Sequence, residues 1–211
     1  MPLWAWACAG AALLSALVFL HDALVGPATA WTRHLEWQAQ QAWREPWRAW
    51  TAALVHYSVQ HLGANLAGCA VVGWFGQAAG LGRGPVLAAA AAWPLTQVLL
   101  LWWAPELTRY GGLSGALHAA VAVAALALMA GNHGRSRWIG AAVGAGLLGK
   151  VLLEAPWSAP VQSLPGWNIP VAVAAHAAGL LSGTLTMTLT LIATTMRRPH
   201  TPQTPQSRSS S

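Results

Sequence analysis

Charge is what this sequence has least of. Of its 211 residues only 8% are Asp, Glu, Lys or Arg, and just 5 are acidic, where an average soluble domain carries about one quarter. So few charges cannot cover a globular surface, which excludes a soluble fold. The same composition excludes disorder and coiled coil, except at the extreme C-terminus. Cysteine is scarce too: Cys8 and Cys69 are the only two, and both stand in apolar segments. Neither a disulfide framework nor a cysteine metal site is expected. A basic stripe with interleaved aromatics is also missing. The net charge of +6 is scattered over short loops and the tail, whereas phosphate binding needs clustered cations; no nucleic acid is expected as a partner. Sheet-like alternation is absent. Internal repeats and paired broken helices, the marks of many transporters, are absent as well.

What is present is apolar residue and tryptophan. The apolar share is 55%, 14 residues are Trp, and the mean hydropathy is +0.45. Indole prefers the headgroup boundary, so both features point to a lipid bilayer. Six apolar segments, bounded by Pro, Gly or charge, run over 3–25, 52–79, 85–103, 113–131, 136–153 and 170–195. Each is near the roughly 20 residues that cross the hydrocarbon. An all-α integral membrane bundle of six transmembrane helices is expected over 1–196, with a disordered Thr/Pro/Gln/Ser-rich tail over 197–211. The first segment ends in Ala28-Thr29-Ala30, which resembles a signal-peptidase site. A charged start is lacking, and Asp22 and Pro27 intervene, so the first helix is expected to be retained.

The loop over 26–51 holds Trp31, Trp37, Trp43, Trp47 and Trp50 together with Arg33, Arg44 and Arg48. It is too polar to span and too aromatic for an idle linker, so it is expected to lie in the membrane interface. Arg48 is expected to anchor it, through headgroups or backbone carbonyls. Basic residues set the orientation. Arg83, Arg135, Arg137, Arg197, Arg198 and Arg208 fall on the side of both termini, with Arg33, Arg44, Arg48 and Arg109 opposite. That balance favours cytoplasmic termini.

Polar residues inside apolar segments are costly unless they are paired or line a wet cavity, and here they are few. The second segment has His56, His61 and Asn65, the last two an i,i+4 pair. The fourth opens with Gly111-Gly112-Leu113-Ser114-Gly115 and then His118. The fifth closes with Lys150 and Glu154, expected as a neutralised pair at the membrane edge or as readers of a bound segment. The sixth carries His176 within Ala175-His176-Ala177-Ala178-Gly179. A serine between glycines at a helix start lets a substrate backbone approach its hydroxyl. In the topology above the fourth and sixth segments run the same way, with His176 about two turns into the sixth. Ser114 and His176 then share a shallow, water-accessible depth. His61 and Asn65 are placed to donate to a developing oxyanion. Gly179 and Gly183 are expected to let the sixth helix press against the fourth.

Trp47-Arg48-Ala49-Trp50-Thr51, then His56, His61 and Asn65, then Gly112-Leu113-Ser114-Gly115 and Ala175-His176-Ala177-Ala178-Gly179 resemble the rhomboid intramembrane serine proteases. The ordered combination is specific where each motif alone is not. Within that family the likeness is greatest to the rhombosortases. It rests on Glu45-Pro46-Trp47-Arg48, Ser114-Gly115-Ala116-Leu117-His118 and Lys150-Val151-Leu152-Leu153-Glu154. Two positions depart: His118 stands where many rhomboids have a Tyr stacked on the catalytic histidine, and Ala119 where rhombosortases often have Gly. The resemblance implies a Ser114–His176 dyad without an acidic third member. His61, Asn65 and the Ser114 N–H would form the oxyanion hole, with His118, Gly115 and His56 in support. It also implies a bacterial inner-membrane endopeptidase, active near the outer face. Its substrates would be membrane-anchored proteins ending in a Gly-Gly motif, one transmembrane helix and a basic tip. No metal, nucleotide or other cofactor is expected.

Overall fold

The structure, a computed structural model, describes residues 3–26, 30–131 and 134–196. The C-terminal tail and most of the Ala28-Thr29-Ala30 motif lie outside the described residues. Each apolar segment produces one long helix: α1 (Leu3–Val25), α4 (Val59–Ala78), α5 (Arg83–Trp103), α6 (Ser114–Met129), α7 (Gly134–Leu153) and α8 (Val173–Met196). The helices α1, α5, α7 and α8 are long and apolar enough to cross a membrane, and α6 is a shorter apolar helix. Among the described residues no strand forms; lipid leaves no water to satisfy an open sheet edge.

The loop after α1 folds into short turns of helix, α2 (Thr32–Leu35) and α3 (Arg48–Thr51), with 3₁₀ turns at Ala39–Gln41 and Ala52–Leu54. Buried polar groups hold it together. The Arg48 guanidinium donates to the carbonyls of Arg33 (3.0 Å) and Glu36 (2.8 Å) and pairs with Glu45. Backbone carbonyls thus take the anchoring role, and burial of Arg48 rules out headgroups. Trp37 is buried, whereas Trp43 and the half-exposed Trp31, Trp47 and Trp50 face outward.

Small residues bring α6 and α8 together. A Cβ on Gly179 would collide with the Gly115 carbonyl, and one on Gly183 with the Ala119 carbonyl, so the expected glycine contact is present. A Thr96–Ser182 hydrogen bond of 2.8 Å ties α5 to α8. Two helix starts differ from the apolar runs. The second helix begins at Val59, capped by the Ser58 hydroxyl accepting from the His61 N–H, because 52–54 is a separate 3₁₀ turn. The last begins at Val173, because Val171 is paired with Gln162 as an isolated bridge. His56 therefore precedes α4 instead of lying on it. His176 lies one turn into α8, not two.

Candidate active site

The starts of α4, α6 and α8 and the ends of α5 and α7 meet at one end of the bundle. There Ser114, His176, His61, Asn65 and His118 line a cavity of about 530 Å³ with Tyr57, Arg109, Tyr110, Lys150 and Glu154. Of the expected residues, these five are brought together. Gly115 does not line the cavity; it is buried next to Ser114, where a Cβ would meet Thr96 Cγ2 at 2.9 Å and the Ala175 carbonyl at 3.0 Å. His56 is set behind His61, with ring centroids 4.7 Å apart, and lines a neighbouring polar hollow. Its Nδ1 bonds the Leu54 carbonyl at 3.1 Å, and burial pushes its pKa down to about 4. It is therefore a neutral support at physiological pH.

Ser114 owes its place to the turn before it. Gly112 has φ +127°, a conformation side chains rarely adopt, and a Cβ there would meet His61 Nε2 at 2.5 Å. The first loop shapes the same turn. Trp37 and Tyr110 exchange backbone hydrogen bonds of 2.8 and 3.0 Å, and the Gly112 N–H donates to the Ala52 carbonyl. Tyr110 is buried and donates to the Gly112 carbonyl at 3.0 Å. Burial pushes its phenol up to about 12, against hydrogen bonds with the Ser114 hydroxyl and the Gly115 backbone.

The two residues expected to donate to an oxyanion both line the cavity. His61 Nδ1 accepts from the Tyr57 N–H at 3.4 Å, so the ring proton sits on Nε2, the atom that faces Gly112. Asn65 Nδ2 is buried and, among the described residues, finds no hydrogen-bond partner. A buried donor left open is unfavourable by about 1–3 kcal/mol, which suits a group that binds something transiently. The Ser114 N–H is the first of α6, and the first N–H groups of a helix lack intrahelical partners.

The stacking place beside His176 is taken by an imidazole. The His118 and His176 rings lie 4.2 Å apart at 9°, and His118 Nδ1 is oriented by the Ser114 carbonyl at 2.6 Å. The dyad expectation needs correction. His176 Nδ1 is 2.8 Å from Glu154 Oε2, and Lys150 Nζ is 2.6 Å from Glu154 Oε1. An acid therefore does stand at the histidine. It belongs to the pair expected either as a neutralised couple at the membrane edge or as readers of a bound segment. Burial opposes ionisation of Glu154, but the hydrogen bond from His176 and the Lys150 ammonium outweigh it and hold the carboxyl down at about 2.

Sequence reasoning missed a further group. Glu36 is fully buried and accepts from Arg109 Nε (2.7 Å), the Tyr57 hydroxyl (3.1 Å) and Gln38 (3.1 Å). It ties the first loop to the cavity rim. Burial and the adjacent Glu36 carboxylate push the Tyr57 phenol above its ordinary range. The one available signal was an acid in a chain with so few.

No curated protein matches the chain significantly. The family model for the rhomboid domain matches residues 43–193, well over half the chain, with every cavity residue named above inside it. The chain is thus a multi-pass membrane protein that belongs to the rhomboid family, whose members are mostly intramembrane serine proteases.

Proposed function

We propose that this protein is an intramembrane serine endopeptidase of the rhombosortase kind, built on six membrane-crossing helices. The observation that carries the reading is one cavity joining Ser114 and His176, from different helices, with the open donor Asn65 Nδ2. Ser114 Oγ attacks the scissile carbonyl while His176 takes its proton as general base. His61, Asn65 and the Ser114 N–H hold the oxyanion. His176 then protonates the leaving amine, and water releases the acyl group.

The substrate class follows from the resemblance to rhombosortases: membrane-anchored proteins with a C-terminal Gly-Gly motif, a transmembrane helix and a basic end. A bacterial inner membrane, with cytoplasmic termini and the cavity near the outer face, is the matching location. The distribution of arginines supports that orientation.

A fluorophosphonate probe on purified, detergent-solubilised protein tests the chemistry. Wild type is expected to label and to cut a Gly-Gly-tailed segment. Ser114→Ala and His176→Ala should each lose at least about 1,000-fold while staying folded. A folded wild type that neither labels nor cleaves would overturn the reading in favour of a pseudoprotease that binds transmembrane segments.

A further inference from the structure

Two oppositely charged groups converge on one nitrogen. His176 Nδ1 lies 2.8 Å from Glu154 Oε2 and 3.1 Å from Lys150 Nζ. The two contacts require opposite proton placements. Glu154 accepts, so it favours a proton on Nδ1 and leaves Nε2 bare. Lys150 only donates, so a bond from it to Nδ1 would need that nitrogen bare and the proton on Nε2. Only the first tautomer has a free lone pair with which to take a proton from Ser114.

The surroundings favour the carboxylate. Lys150 Nζ is engaged by Glu154 Oε1 at 2.6 Å, which fixes the carboxylate and turns its other oxygen toward the imidazole. The chain just past α7 is held as well. Gln162 Nε2 donates to the Glu154 carbonyl at 2.8 Å, and Ala155 is the only non-glycine residue with positive φ (44°) among the described residues. His176 and Glu154 side chains are 7% and 13% exposed, so water screens their interaction weakly.

We infer that Glu154 is a positioning residue for His176, giving this protein a Ser114–His176–Glu154 triad in which Lys150 orients the acid. The inference rests on the serine-protease reading. As the Ser114 Oγ–carbon bond forms, the hydroxyl proton moves to His176 Nε2. The Nδ1 proton stays on nitrogen, and the ionised Glu154 stabilises the resulting imidazolium. The Nε2 proton then passes to the leaving amine as the C–N bond breaks. Glu154 is never protonated and touches no substrate. His118, stacked on the ring with its Nδ1 given to the Ser114 carbonyl, supplies no competing acceptor at His176 Nδ1.

The competition at Nδ1 gives a test that a purely structural salt bridge would not pass. Fluorophosphonate labelling of Ser114 should slow about 100-fold or more in Glu154→Ala and Glu154→Gln. In Glu154→Ala, Lys150 is left as the only partner of Nδ1 and imposes the wrong tautomer. Adding Lys150→Met to Glu154→Ala should therefore restore labelling about tenfold. Lys150→Met alone should slow it about threefold. If the pair only braces α7, the double variant would label no faster than Glu154→Ala. Nitrogen-15 shifts of the His176 ring give a reading on the folded wild type, which should be protonated at Nδ1; protonation at Nε2 would overturn the inference. So would glutamate variants that label within threefold of wild type while Ser114→Ala stays unlabelled, and this result would leave the protease reading standing. A wild type that never labels would remove both.

Discussion

The last two helices carry the two halves of one contact, yet they are held in different ways. Helix α8 is buried at ten positions along its length, including Val173, His176, Gly179, Ser182, Gly183 and Met187. Its glycines press on the α6 backbone, and its Ser182 is bonded to α5. Helix α7 is buried only at Gly140, Leu147 and Val151. It approaches the α6 backbone closely at Gly140 alone, beside the Ala125 carbonyl, and its outer face, with Trp138, Leu148, Leu152 and Leu153, is exposed and in a bilayer would meet lipid tails. His176 thus sits on the firmly packed helix and Glu154 at the end of the loosely packed one. The proposed base needs a fixed place relative to the proposed nucleophile, and backbone-to-backbone packing supplies it. The acid is held by one such backbone approach, at Gly140, and by polar bonds from Lys150 and from Gln162 in the loop after α7.

Giving each helix one extra side chain would break this contrast if it is wrong. Gly179→Val forces a branched side chain into the Gly115 carbonyl, and should destabilise by about 3 kcal/mol or more, with loss of labelling. Thermal unfolding in detergent is the check; an unchanged midpoint would mean that α8 is not clamped. Removing the loop tether sharpens the second half. Gln162→Ala releases the Glu154 carbonyl and those of Ala155 and Ala159. It should lower stability by about 1–2 kcal/mol and slow labelling with little loss of fold. Equal rates for variant and wild type would show that α7 holds Glu154 by itself. The smallest effect belongs to Gly146→Ala, on the exposed side of α7, where a Cβ meets nothing within 4 Å. Stability should shift by less than about 1 kcal/mol, and labelling should be unaltered.

The helices were legible because lipid tolerates so little: an apolar run bounded by Pro or charge has few other structures open to it. Their ends were less so. Val171 pairs with Gln162, a contact between loop residues that no apolar run records, and it delays α8 by three residues. Ser114, His61, Asn65 and His176 stood out as polar groups in apolar surroundings, and all four do line one cavity. Glu154 was hidden by a sufficient local explanation. Lys150 four residues earlier already accounted for its charge, while its second partner lies 22 residues later on another helix. Glu36, Tyr57 and Arg109 were hidden for a related reason. They come from separate loops, and only the folded first loop brings them together.

The order of the cavity residues along the chain has a consequence for biosynthesis. Ser114 opens α6, Glu154 follows α7 and His176 stands in α8, while chains enter the membrane N-terminus first. A growing chain presents Ser114 without His176 until the last helix has been inserted and docked. In the proposed protease the cavity is therefore completed only as the last helix docks, so the insertion machinery never meets an assembled site on a partly inserted chain.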